Sequence, residues 1–167
     1  MDVRVTRHRI LDTPAGSFVL VCGPDGAVSA RWDDDTGLNG SQHEPDLLPR
    51  LAAKLQRYFR GLAEDFDDVP TPAGPTFHRR CWEVCRKIPR GETRSYGELA
   101  AMAGSGPGAS RAVGQAMRRN PLPVIVPCHR IIAASGRLHG YSGSVDPAGR
   151  ALAIKRSLLE LERSTKQ

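Results

Sequence analysis

Ser95-Tyr96-Gly97-Glu98-Leu99-Ala100, followed by Gly104-Ser105-Gly106-Pro107-Gly108 and then Ser110-Arg111-Ala112-Val113-Gly114, is the stretch that decides the architecture of this chain. A serine with a glutamate three residues later, just ahead of an apolar pair, is a capping box. Each side chain satisfies an amide that the first helical turn leaves open. It predicts a helix over 96–103. Gly104 to Gly108 is a glycine-rich turn. Ala109 to Arg119 then reads as a further helix, closed by Asn120-Pro121. Two short helices joined by small residues make a helix-turn-helix candidate. Upstream, Phe77, Cys81, Trp82, Cys85 and Ile88 recur at three- and four-residue steps, and Pro89-Arg90-Gly91 ends that pattern. They predict a preceding helix.

The outer face of the 109–119 segment is unusual for a DNA reader. Ser110, Ala112 and Gly114 are small, where a major-groove helix carries long polar side chains. Such a face can approach a backbone or a narrow groove closely, and Arg111 could then reach inside the duplex. Taken alone, a helix-turn-helix more often belongs to a transcription factor than to an enzyme. The next residues argue for chemistry. Ile125-Val126-Pro127-Cys128-His129-Arg130-Ile131-Ile132 sets a cysteine beside a histidine between apolar runs. A thiol attacks as thiolate, and a neighbouring imidazole is the commonest way to obtain one near neutral pH. The β-branched flanks predict a buried strand carrying Cys128. Either a nucleophile or a core cysteine fits that description. A base-modifying enzyme needs a DNA reader and a reactive group together, because the base must leave the stack before reaction.

Outward from this centre the composition sets bounds. The chain has 167 residues, enough for one large domain or two small ones. Four cysteines and no secretory pattern predict reduced thiols and a cytoplasmic protein. No apolar run approaches a membrane span. Net charge is +6, unevenly spread. Residues 1–74 hold 8 basic and 12 acidic side chains, net −4, and residues 75–167 hold 16 and 6, net +10. A basic half beside an acidic one points to a polyanion such as nucleic acid. The acidic half reads as α+β. Strands are expected at Arg4 to Asp12, Ser17 to Cys22 and Ala27 to Trp32, with an exposed loop over 33–42. A helix is expected from Leu47 to Arg60, stopped by Gly61. The Pro/Gly-rich Val69 to Pro75 is the linker candidate, giving domains 1–74 and 75–167. Cys81 and Cys85 lack a second ligand pair, so core packing is expected rather than metal.

Pro127-Cys128-His129-Arg130, with Asn120-Pro121 upstream and Ser135-Gly136 and Gly140-Tyr141-Ser142-Gly143 downstream, resembles the O6-alkylguanine-DNA alkyltransferases (methylated-DNA–protein-cysteine methyltransferases). Ser95-Tyr96-Gly97-Glu98 and Ser110-Arg111-Ala112-Val113-Gly114 match the same family, as do Phe77, Trp82 and Ile88-Pro89-Arg90-Gly91-Glu92-Thr93. The resemblance is strong over roughly residues 77 to 162 and weak before that. It implies an α+β protein: a small ribonuclease-H-like α+β domain, then a mostly helical, winged-helix-like DNA-binding domain. It implies irreversible transfer of an alkyl group from O6 of guanine, and O4 of thymine, to Cys128 in a flipped base, consuming the protein. His129 would be the base and Glu162 its carboxylate partner, with Glu160 the alternative; the two point about 200° apart on a helix. Asn120 would pin the turn before Cys128. Tyr96 would donate toward the leaving guanine.

The same resemblance implies DNA contacts from Arg111, Ser110, Ala112, Gly114, Thr93 and Ser95. It implies a base pocket of Met117, Pro123, Ile131, Tyr141, Ser142 and Gly143. Expected partners are double-stranded DNA bound through its minor groove and no membrane; a monomer is expected in solution, with assembly on DNA left open. No cofactor or metal is expected. The competing reading is a non-enzymatic protein that flags alkylated bases. The turn at 104–109 and the segment 144–153 are longer than the family pattern, which bears on the pocket rim and on the choice between Glu160 and Glu162.

Overall fold

A computed structural model describes residues 5–32, 38–141 and 149–164. The chain divides into two compact units, Met1–Phe66 and Asp67–Gln167.

In the first unit, strands β1 (Arg7–Thr13) and β2 (Gly16–Cys22) form a hairpin whose tight turn needs the positive φ of Gly16, 118°. Strand β3 (Val28–Trp32) pairs antiparallel with β2. A two-residue strand, β4 (Gln42–His43), adds parallel to β1. The 33–42 segment was expected to be loop throughout. Its end is recruited because the amide of Gln42 donates to Thr6 and that of Glu44 to His8, capping an edge that would otherwise be open. Helix α1 (Pro49–Phe59) stops at Gly61, φ 89°. The Gly61 and Leu62 amides donate back to the carbonyls of Tyr58 and Arg57, a Schellman ending that only an easily left-handed residue supports. Phe18, Trp32 and Phe59 meet edge to face with centroids 4.9 to 5.8 Å apart, and these rings tie α1 to the sheet.

The second unit opens on the proline-rich segment. Val69 and Thr71 both accept from the Arg86 guanidinium, and a Cβ on Gly74 would come within 2.9 Å of the Trp82 ring. These contacts anchor residues 69–74 to helix α2 (Thr76–Cys85). Helix α3 (Tyr96–Met102) carries the full capping box: Ser95 Oγ accepts from the Glu98 amide and Glu98 accepts from the Ser95 amide. After a 3₁₀ turn at Pro107–Ala109, helix α4 (Ser110–Arg118) packs on α2 and α3. Trp82 fixes the α2–α4 pair by donating its indole N–H to the Ala116 carbonyl at 2.8 Å. Strands β5 (Arg94–Ser95) and β6 (Ile131–Ile132) pair in parallel. Helix α5 (Arg150–Arg163) closes the unit.

The strand expected to carry Cys128 is absent. Residues 120–130 form a chain of tight turns: the Val126 amide reaches Leu122, Cys128 reaches Val126 and Arg130 reaches Pro127. Cys128–Arg130 is a 3₁₀ turn. Three prolines in this stretch remove ladder donors, and Val124 has φ 73°, so the backbone cannot run extended. The apolar residues 122–127 are nevertheless all buried, inside a folded turn rather than a sheet. Helix α2 is also shorter than its apolar pattern, ending at Cys85; Ile88 is buried from the turn beyond it.

Candidate active site

Cys128 begins its turn with the thiol buried. Burial pushes that thiol above the ordinary cysteine range. Three groups work against that shift: hydrogen bonding from the Asn120 side chain, the charge of Lys155, and the backbone amides of Cys128 and His129. Asn120 reaches the thiol from a fixed platform. Its Nδ2 donates to the Val126 carbonyl and its Oδ1 accepts from the Leu122 amide, both at 2.9 Å. One side chain thus spans the turn between α4 and Cys128.

His129 is completely buried and its Nε2 lies 2.8 Å from Glu162 Oε1, on α5. Burial lowers the imidazole below its usual range, outweighing the opposing pull of Glu162. It therefore rests neutral at neutral pH, the form that can accept a proton. Glu162 is buried too, yet its carboxyl is held far below the usual range by His129 and Arg130. Glu160 is exposed on the opposite side of the same helix.

Arg130 and Lys155 received no role from the sequence. Arg130 forks onto Glu162, with Nη2 2.8 Å from Oε1 and Nε 3.0 Å from Oε2, while Nη1 donates to the Ile88 carbonyl at 2.6 Å. Lys155, 1 % exposed, donates to the carbonyls of Ile131 at 2.5 Å and Gly140 at 3.1 Å. Burial lowers its ammonium to about 8, and the nearby Cys128 and Cys85 thiols pull the other way. Its position seven residues before Glu162, among Leu152, Leu158 and Leu159, was a readable signal that both charges share the buried face of α5.

Tyr96 opens α3, and its hydroxyl donates to the His139 carbonyl at 2.7 Å. Burial raises it to about 12, so it stays protonated and a donor. Met117, Pro123, Ile131 and Tyr141 are buried. Ser142 and Gly143 lie outside the described residues, as do residues 144–148 of the 144–153 segment. On α4, Arg111 and Ala112 are exposed, and Ser110 and Gly114 partly so; a Cβ on Gly114 would meet nothing within 4 Å. Thr93 and Ser95 are also part-exposed. Cys81 and Cys85 are buried free thiols. Among the described residues no group of three or more His, Cys, Asp or Glu side chains is arranged to hold a metal ion.

Residues 76–164 match the family model for the DNA-binding domain of 6-O-methylguanine DNA methyltransferase. The methylated-DNA–protein-cysteine methyltransferase of Mycobacterium tuberculosis is 39% identical over 160 residues, covering 94% of this chain and 92% of the relative. The constitutive enzyme of that name from Bacillus subtilis is 37% identical over 159 residues, covering 91% and 92%. In three dimensions the chain is similar to the crystal structure of the M. tuberculosis O6-methylguanine methyltransferase, with TM-score 0.82, 37% identity, and 97% and 95% of the two chains covered. It is similar also to M. tuberculosis OGT in complex with DNA, with TM-score 0.79, 39% identity, and 95% and 93% covered.

Proposed function

Since the chain belongs to the O6-methylguanine-DNA methyltransferase family, we propose that Cys128 is the residue that takes the alkyl group. The protein is a methylated-DNA–protein-cysteine methyltransferase and acts in direct-reversal repair of DNA. What carries the assignment to Cys128 is one observation: a buried thiol, held by Asn120, next in sequence to a buried His129–Glu162 pair at 2.8 Å.

The reaction on these residues runs as follows. His129 accepts the thiol proton, directly or through one water, while Glu162 holds the imidazole from its far side. The Cys128 sulfur attacks the alkyl carbon on guanine O6 in line. A C–S bond forms and the C–O6 bond breaks, leaving electrons on the guanine. The Tyr96 hydroxyl exchanges the His139 carbonyl for the base and offsets that charge as it grows. The product is a thioether, a poor leaving group for water, so each molecule acts once. The role extends to O4-alkylthymine by the same displacement. Asn120 holds the thiol turn against the end of the reading helix.

Delivery of the base falls to α4. Its small Ser110, Ala112 and Gly114, exposed or part-exposed, let the backbone approach the minor groove of duplex DNA. Arg111 fills the stack vacated by the flipped nucleotide, and Thr93 and Ser95 contact phosphates. Met117, Pro123, Ile131 and Tyr141 wall the base pocket, and the family resemblance adds Ser142 and Gly143, which lie outside the described residues, to the groups that recognise the base. Free thiols at Cys22, Cys81, Cys85 and Cys128 support a reducing, cytoplasmic setting, and no helix among the described residues is long and apolar enough to cross a membrane. The protein works as a monomer before it meets DNA.

Incubation with an O6-methylguanine duplex and intact-mass measurement tests the assignment. One methyl should appear, mapped to Cys128, and Cys128→Ala should take none while keeping lesion affinity. Unchanged mass in the wild type, with lesion binding retained, would replace the transfer reading by that of a protein that flags alkylated bases.

A further inference from the structure

Five donor contacts converge on the Glu162 carboxylate. Oε1 faces His129 Nε2 at 2.8 Å, Arg130 Nη2 at 2.8 Å and Arg130 Nε at 3.3 Å; Oε2 faces Arg130 Nε at 3.0 Å and the Gly91 amide at 3.2 Å. Apart from the imidazole, every one of these is a nitrogen that can only donate. A proton on Oε2 would point at a donor, and one on Oε1 could reach only the imidazole nitrogen, a stronger base than a carboxylate paired with Arg130, so Glu162 stays ionised and accepts at both oxygens. It follows that the imidazole nitrogen facing it must be the one carrying hydrogen.

We propose that Arg130 is a positioning residue of the proton relay: its fork keeps Glu162 an ionised acceptor whose charge is already matched, so His129 carries its hydrogen on Nε2 and rests neutral with Nδ1 as the base. The inference rests on the transfer reading above but concerns a different residue. The arrangement of charge gives the reason. Glu162 and Arg130, with side chains 0% and 12% exposed, cancel within the site. A protonated His129 would then face an already paired carboxylate and the ammonium of Lys155. Without Arg130, the lone buried carboxylate would draw the imidazole into an imidazolium pair, and the base would be lost. The anchor is rigid because Arg130 Nη1 also holds the Ile88 carbonyl at 2.6 Å.

The charged and titratable groups around this pair are Glu162 and Lys155 from α5, Arg130 and Cys128 from its own turn, Cys85 from α2 and Tyr96 from α3. Removing the guanidinium charge raises the histidine, so the acid limb of the rate profile should move upward. Single-turnover methyl transfer in the full-length protein, followed against pH, reads this directly. Arg130→Gln should shift the acid limb up by about one unit, making its loss relative to wild type about tenfold greater at low pH than at high pH. Arg130→Lys keeps the charge and should leave the limb in place with a lower plateau. A uniform loss at every pH in Arg130→Gln would overturn the proposal and leave Arg130 a structural clamp. Should Arg130→Gln not fold, nitrogen NMR of the wild-type imidazole decides: hydrogen on Nε2 of a neutral ring supports the proposal, and hydrogen on Nδ1 overturns it. Wild type that takes no methyl refutes the transfer reading instead; the imidazole titration followed by NMR, raised in Arg130→Gln if the proposal holds and unmoved if it fails, still judges Arg130.

Discussion

Glu162 and Asn120 each serve several partners at once, and this makes their substitution informative. Glu162→Gln removes the negative charge that the largely buried Arg130, its side chain 12% exposed, is paired with. An unpaired buried charge costs about 3–5 kcal/mol, so the urea midpoint should fall sharply at neutral pH. The pH dependence has a definite sign. The folded carboxyl sits far below its ordinary range, so its stabilising contribution is present above the unfolded value of about 4 and drains away as pH falls below it. Wild type should therefore lose stability on acidification, and Glu162→Gln should show a smaller loss over the same range. Equal acid sensitivity in the two proteins would show that other carboxylates govern it. Asn120→Ala strips the bonds to Val126 and Leu122 and should cost about 1–3 kcal/mol. It should also slow alkylation more than it weakens DNA binding, because the turn holding Cys128 is what loosens.

Helices α3 and α4 answer to local rules that can be varied one at a time. Ser95→Ala removes half of the capping box and should lower stability by about 1 kcal/mol, seen as a lower melting temperature. Gly114→Ala separates folding from recognition. The position is helical and a Cβ there meets nothing, so alanine should stabilise by about 1 kcal/mol. The added methyl stands on the face assigned to DNA, so duplex affinity should fall. Unchanged affinity in a stabilised Gly114→Ala protein would remove α4 from the interface. These elements were legible because capping and periodicity are local properties of a few residues. The Cys128 segment departs from its local pattern: β-branched apolar residues suggest a strand, but Pro121, Pro123 and Pro127 and the left-handed Val124 leave no ladder to form. Burial there comes from packing, not from pairing.

Across the molecule, charge and motif order were written in the chain, while convergence was not. The basic second half, net +10 over residues 75–167, predicts a DNA affinity that falls linearly with the logarithm of salt concentration. Titration of an undamaged duplex at several salt concentrations checks this, and a flat dependence would mean that phosphates contribute little. By itself the sequence determined the helix-turn-helix, the adjacency of Cys128 and His129, the candidate carboxylates on one helix and the charge asymmetry, because each depends on spacing or composition alone. Only the tertiary structure decided that Glu162 rather than Glu160 meets His129, that Arg130 shares that carboxylate, and that Lys155 lies buried beneath the Cys128 turn. Those contacts join residues 24 to 33 positions apart. Their existence depends on how α5 is rotated and seated against the turn, and that is set by the packing of apolar side chains from several elements at once.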